Sequence, residues 1–178
     1  MSKKAAVILV AILLLTIGSR QAKPMSAQSD WIVFSPKGGG FSIMLPGEPK
    51  RREFPHGTSK GQTLSPLYEL THEDFKYVVS YMNYPISVEG AERDKLLSMG
   101  AEAGITSAGG EVVSNTPISL DGYPGREVKG EMKGFSYRSR VYLVGQRLYL
   151  LIVWLPSNKT DSENAAKFFN SFKLVAQQ

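Results

Sequence analysis

From residue 31 onward, short apolar runs alternate with clusters of turn residues, the pattern of a strand-rich domain. Residues 31–34 and Phe41–Leu45 flank Pro36-Lys37-Gly38-Gly39-Gly40, which is expected as a hairpin loop. Pro46-Gly47-Glu48-Pro49 closes the second run and leads into a strand over 50–54. Pro55 to Gln62 is expected as a loop. Strands are predicted over 64–70 and 76–84, around a turn at His72-Glu73-Asp74. Tyr77, Val79 and Tyr81 alternate there with Val78, Ser80 and Met82, which puts the two sets on opposite faces.

The period then changes. Between Glu89 and about Ala103, Leu96, Gly100 and Ala103 recur at helical spacing, with Glu92, Arg93 and Lys95 turned outward. Gly109-Gly110 ends this helix. Four strands follow, over 111–120, 125–132, 137–144 and 147–155. Asp121-Gly122 and Pro124-Gly125 are turn dipeptides. Lys133-Gly134 and Gly145-Gln146 fit two-residue hairpin loops, each with a glycine able to take positive φ. A final helix carries an apolar stripe of Ala165, Phe168, Phe169 and Phe172, and Thr160 with Glu163 makes a capping box before it.

Strands and helices do not alternate regularly, so a parallel βαβ sheet is disfavoured. The expected class is α+β: a mainly antiparallel sheet sandwiched by helices. The two short loops also set a register. Val144 falls opposite Arg147, Tyr142 opposite Tyr149, Arg140 opposite Leu151 and Arg138 opposite Val153, and opposed residues share a face. One face then carries Tyr137, Ser139, Val141, Leu143, Leu148, Leu150, Ile152 and Trp154, a core surface. The other mixes Arg138, Arg140, Tyr142, Tyr149, Leu151 and Val153. The preceding hairpin sets Glu127 opposite Arg140 and Lys129 opposite Arg138, with Glu131 diagonal to Arg138, so acids offset much of the basic charge. Two readings fit the mixed face. A second helix packs on it, with arginine stems lying along apolar surface. Or it binds a partner, with Arg138, Arg140, Tyr142 and Tyr149 as anchors.

The amino-terminal pattern is of another kind. Lys3 and Lys4 precede an unbroken apolar run, Ala5 to Ile17, followed by small and polar residues to Ala27. That is the layout of a secretory signal peptide over residues 1–27, leaving 28–178 as one domain. As a helix the run would cover roughly 20 Å, short of the ~30 Å hydrocarbon core. Export to the periplasm or the extracellular space is therefore expected. The alternative keeps the segment as an anchor in the inner membrane, and membrane contact is expected only then.

The segment also changes the charge. The whole chain is +5, with 21 basic and 16 acidic residues. Lys3, Lys4, Arg20 and Lys23 precede residue 28 and no acid does, so removing them leaves 17 basic against 16 acidic residues. A pI near 9.4 invites a nucleic-acid reading, but the remaining domain does not support one. With no cysteine, disulfides and CxxC redox chemistry are excluded.

Catalytic signatures are sparse. His56 and His72 are the only histidines and lie in neither HxH nor HExxH spacing. No Gly-x-Ser-x-Gly elbow occurs. Lys37-Gly38-Gly39-Gly40 lacks the Gly-Lys-Ser/Thr of a phosphate loop. No catalytic residue, metal site or cofactor is assigned.

Several motifs resemble the PsbP-like group of exported domains. They are Phe41-Ser42-Ile43-Met44-Leu45-Pro46-Gly47-Glu48-Pro49, then Gly122-Tyr123-Pro124-Gly125-Arg126-Glu127. Arg140-Val141-Tyr142-Leu143-Val144, Arg147-Leu148-Tyr149 and the Phe168-Phe169-Asn170-Ser171-Phe172 ending complete the set. The resemblance spans roughly residues 31 to 175 and implies an α/β/α sandwich. It implies a binding or assembly role, as in photosystem-associated subunits, envelope lipoproteins, secretion chaperones and a Ran-binding import factor. It carries no shared catalytic set. The expected function is an exported, non-enzymatic accessory protein of the cell envelope, holding a protein partner on the mixed face or in loops such as 55–62. The alternative is an exported hydrolase whose site is assembled from residues distant in sequence.

Overall fold

A computed structural model describes residues 31–58, 61–84, 88–159 and 162–176; the predicted leader lies outside them. The element order is β1 (Ile32–Phe34), β2 (Phe41–Leu45), β3 (Lys50–Thr58), β4 (Gly61–His72), β5 (Phe75–Asn83), α1 (Gly90–Ser107), β6 (Glu111–Leu120), β7 (Tyr123–Met132), β8 (Phe135–Val144), β9 (Arg147–Pro156), α2 (Glu163–Asn170) and β10 (Lys173–Leu174). Seven strands make an antiparallel sheet ordered β3-β4-β5-β9-β8-β7-β6, and β1-β2-β10 make a second, three-stranded sheet.

The hairpin register follows the two-residue loops. Val144 pairs with Arg147, Tyr142 with Tyr149, Arg140 with Leu151 and Arg138 with Val153. Glu127 pairs with Arg140 and Lys129 with Arg138. Gly134 and Gly145 take φ of 82° and 59°, the left-handed backbone that tight hairpin loops require. Asp121-Gly122 also forms such a loop, with φ of 51° and 83°. Pro124-Gly125, expected as a turn, lies inside β7 instead. A Cβ on Gly125 would fall 2.5 Å from the Val141 carbonyl oxygen and 2.6 Å from the Tyr142 ring. The glycine there admits a neighbouring strand and its aromatic ring; it does not turn the chain.

α1 covers one face of the large sheet. Its buried stripe is Leu97, Ala101 and Ile105, at i, i+4 and i+8, and it meets Val141, Leu143, Leu148 and Ile152. The stripe therefore sits one position on from the expected Leu96 and Gly100, and Ala103 is exposed. Gly100 and Gly104 lie beside the stripe, where the sheet comes close. Two hydroxyls on this face are satisfied by the helix: Tyr137 Oη and Ser139 Oγ both donate to the Ala101 carbonyl, at 2.9 and 2.7 Å.

The opposite face is covered by a mixed layer of α2 and the three-stranded sheet, so the expected sandwich by helices is half correct. Phe41, Ile43 and Leu45 of β2 pack with Ala165, Phe168, Phe169 and Phe172 against Tyr77, Tyr142, Tyr149, Leu151 and Val153. Full burial of each such phenylalanine is worth about 1.5–3 kcal/mol. The cap of α2 is Ser162, whose Oγ accepts the Asn164 N–H at 3.2 Å. Glu163 then opens the first turn rather than closing a capping box with Thr160, which lies outside the described residues. The two-residue β10 is too short to leave a period-2 signal in the sequence.

The expected 55–62 loop is mostly strand. β3 and β4 pair from Lys50–Glu69 out to Thr58–Gly61. β3 is an edge strand, where Pro55 is tolerated. β4 pairs with β5 only from Leu67 to His72. Pro66 has no N–H for a ladder bond, and its carbonyl accepts the Ser80 hydroxyl at 2.9 Å. Beyond Pro66, β3 and β4 continue as a two-stranded ribbon.

Candidate functional site

The four residues singled out from sequence come together, but under the α2 layer. Tyr142 and Tyr149 are 4% and 3% exposed. Tyr142 stacks on Phe172 at 5.9 Å and 5° between planes. Tyr149 meets Phe172 and Phe41 edge-on, at 5.5 and 5.9 Å. Burial pushes the Tyr142 hydroxyl up in pKa, with Arg140 opposing. Arg138 and Arg140 share one carboxylate. Arg140 Nε donates to Glu127 Oε2 at 2.6 Å, and Arg138 Nη2 donates to the same oxygen at 3.0 Å. Both guanidinium carbons lie 5.1 Å from the Phe169 ring centre. Arg140 Nη1 also donates to Asn170 Oδ1 at 3.2 Å. Burial alone would raise the Glu127 carboxyl, yet the bonds from Arg140 and Arg138 outweigh it and hold it below the usual carboxylate range. This face joins α2 to the sheet, the first of the two arrangements that the sequence admits.

The open concave surface lies at the end of the sheet where the β8–β9 loop turns. A cleft of about 600 Å³ there is lined by Gly40, Asn83, Tyr123, Val144, Gln146, Arg147, Tyr149, Leu174 and Val175. A second, of about 730 Å³, lies beside the 35–40 loop and shares Gly40 and Val175 with the first. Arg147 organises both. Its Nη1 donates to the Gly38 and Gly39 carbonyls at 2.9 and 3.1 Å, and its Nε to Asn83 Oδ1 at 2.8 Å. Its guanidinium lies 5.0 Å from the Tyr81 ring centre. Tyr149 Oη donates to Gly39 O at 3.1 Å. At the rim, Tyr123 and Val175 are exposed.

Sequence reasoning passed over Arg147, Asn83 and Tyr123. One signal was present: an arginine at the mouth of a tight loop, two pairs beyond the aromatic Tyr142–Tyr149 rung. Two of its acceptors are backbone carbonyls more than a hundred residues away and the third is the Asn83 side chain, and no local pattern records them.

His72 ends β4 and Glu73-Asp74 form the turn, with Glu73 at φ 52° and Asp74 paired to Lys159 at 3.3 Å. Among the described residues, no three His, Cys, Asp or Glu side chains are grouped to hold a metal ion. No described helix is long and apolar enough to cross a membrane.

Neither a family profile nor a curated protein matches the sequence. Among solved structures, cyanobacterial PsbP from Synechocystis superposes with a TM-score of 0.58 over 88% of this chain and 99% of its own, at 9% identity. The fold is PsbP-like. The Ran-binding protein Mog1p of Saccharomyces cerevisiae is similar at a TM-score of 0.47 and 11% identity, over 83% of this chain and 96% of its own. A Bacteroides thetaiotaomicron protein is similar at 0.43 and 14%, over 82% of this chain and 48% of its own. In this chain the motifs behind the sequence resemblance serve packing and turns: Phe41, Tyr142, Tyr149 and Phe172 sit in one aromatic cluster.

Proposed function

We propose that the protein is an exported accessory protein of the cell envelope that binds a protein partner at the Arg147 end of its sheet. The observation that carries this reading is the pair of adjoining clefts there, braced by one arginine and rimmed by exposed Tyr123 and Val175. Polar and apolar groups converge on a surface that is already held in place, which lowers the ordering cost of binding. Tyrosine and arginine are the side chains that most often anchor protein contacts. The export half rests on Lys3-Lys4 and the apolar run to Ile17.

Intact mass, fractionation and chemical crosslinking of one sample from a bacterial host test both halves. The expected result is loss of about two dozen residues, recovery in the soluble envelope fraction, and a discrete crosslinked species. Full-length mass in the membrane fraction would replace export by anchoring. An absence of crosslinked species would remove the partner.

A further inference from the structure

We propose that the Arg147 end binds an acidic, extended segment of its partner, with Asp or Glu carboxylates on Arg147 and Lys37 and an apolar side chain beside Tyr123 and Val175. This rests on the partner-binding reading and names the partner's chemistry.

The positive charge there is uncompensated. Arg147 binds only neutral acceptors: Asn83 Oδ1 through Nε, and the Gly38 and Gly39 carbonyls through Nη1. Its Nη2 has no partner in the chain and is not buried, so two N–H donors of the fork meet solvent. Asn83 adds another donor. Arg147 Nε can only donate, so Oδ1 must face it, and Nδ2 is left over. Lys37 lines the adjoining cleft, is exposed, and pairs with no described carboxylate. No Asp or Glu lines either cleft. Two cations without an acid attract a negative segment and repel a positive one.

The rest of the surface suits a peptide better than a free anion. Val144, Leu174 and Val175 give the first cleft an apolar side, which a bare phosphate would leave empty. There is also a main-chain edge. β10 is an outer strand of the small sheet. Val175 N–H donates to Gly40 O at 3.1 Å, so the preceding Leu174 turns its own N–H and C=O away from β2. No described group takes them. Leu174 lines the cleft, so an extended segment finds a main-chain donor and acceptor there beside the cations. The chain's own first 30 residues have the wrong charge, with Lys3, Lys4, Arg20 and Lys23 against Asp30.

The test pans a random linear peptide library against the purified protein. An enriched peptide is then titrated against wild type, Lys37→Gln and Lys95→Gln. Both lysines are exposed and make no ion pair among the described residues, so the fold is retained. Lys95 lies on α1, across the sheet, and controls for overall charge. The expected peptides carry Asp or Glu near an aliphatic or aromatic residue and slow amide exchange at Leu174. Changing their acid to the amide costs about tenfold or more in affinity. Lys37→Gln weakens binding about threefold and reduces that penalty, while Lys95→Gln does neither. Failure to enrich, enriched peptides without acids, or equal losses in the two lysine variants would each overturn the proposal. Phosphatidylglycerol vesicles are offered in parallel. Vesicle binding that Lys37→Gln abolishes, with no peptide enriched, would assign the cations to a lipid surface and overturn it too. Photo-crosslinking from Tyr123 separates the proposal from the broader reading. A partner captured there equally by wild type and Lys37→Gln, at low and high salt alike, would keep the docking end and remove the acidic segment.

Discussion

The Arg147 guanidinium donates to the carbonyl oxygens of Gly38 and Gly39, at 2.9 and 3.1 Å. One side chain at the mouth of the β8–β9 loop thereby satisfies two acceptors of a loop that has few partners of its own. Arg147→Lys keeps the charge but cannot hold Asn83, Gly38 and Gly39 with one rigid fork while lying flat over Tyr81. It is expected to cost about 1–3 kcal/mol in urea unfolding and to speed amide exchange over 36–40. An unchanged exchange rate there would show that the loop holds itself.

Glu127 makes the fold pH-dependent. Its folded pKa is lowered, so its contribution to stability is present above the unfolded value and is lost as pH falls through the folded one. The loss therefore falls in the acid range, below the unfolded value of roughly 4.3. At neutral pH, Glu127→Gln is expected to cost about 2–3 kcal/mol by leaving Arg138 and Arg140 without their shared carboxylate. Thermal melts from pH 6 to pH 3 check it: the wild type should lose more than the variant, so that the two curves converge. Parallel curves would mean that Glu127 is not the titrating group.

Two glycines of α1 give substitutions of opposite sign. A Cβ on Gly100 would sit 3.5 Å from Leu148, an ordinary contact, and Gly100→Ala should gain up to about 1 kcal/mol from helix propensity. A Cβ on Gly104 would fall 2.7 Å from Tyr137 Oη, whose proton is given to the Ala101 carbonyl. Tyr137 is fully buried, its pKa pushed up to about 12 by that burial, and the ring has nowhere to retreat. Gly104→Ala should therefore lose about 1–3 kcal/mol despite the same propensity gain. Melting both variants decides it; equal shifts would contradict the packing described.

Local chemistry made the hairpins legible. Lys133-Gly134 and Gly145-Gln146 permit few turn geometries, and from them the Glu127–Arg140 and Tyr142–Tyr149 pairs follow. What the sequence hid was tertiary. The α1 stripe shifted by one position because Gly100 and Gly104 serve close packing at its flank and not its centre. Pro55 marks a guarded edge strand, and Gly125 a close approach, although both residue types signal turns. The mixed face could be read as open surface because its cover comes from distant segments: a helix of eight residues and a strand of two at the far end of the chain, together with β2. The Arg147 end was least legible. It is built from a loop, a strand start and a tail that meet only in the folded chain.

The central claim is that a protein partner docks at the Arg147 end. The most direct measurement places a photo-crosslinking residue at Tyr123 and, as a control, at exposed Met99 on α1, in the full-length protein expressed in a bacterial host. The account predicts one discrete partner captured from Tyr123 and none from Met99, with capture from Tyr123 weakened by Arg147→Ala. The same partner captured equally from both positions, or none from Tyr123, would contradict it.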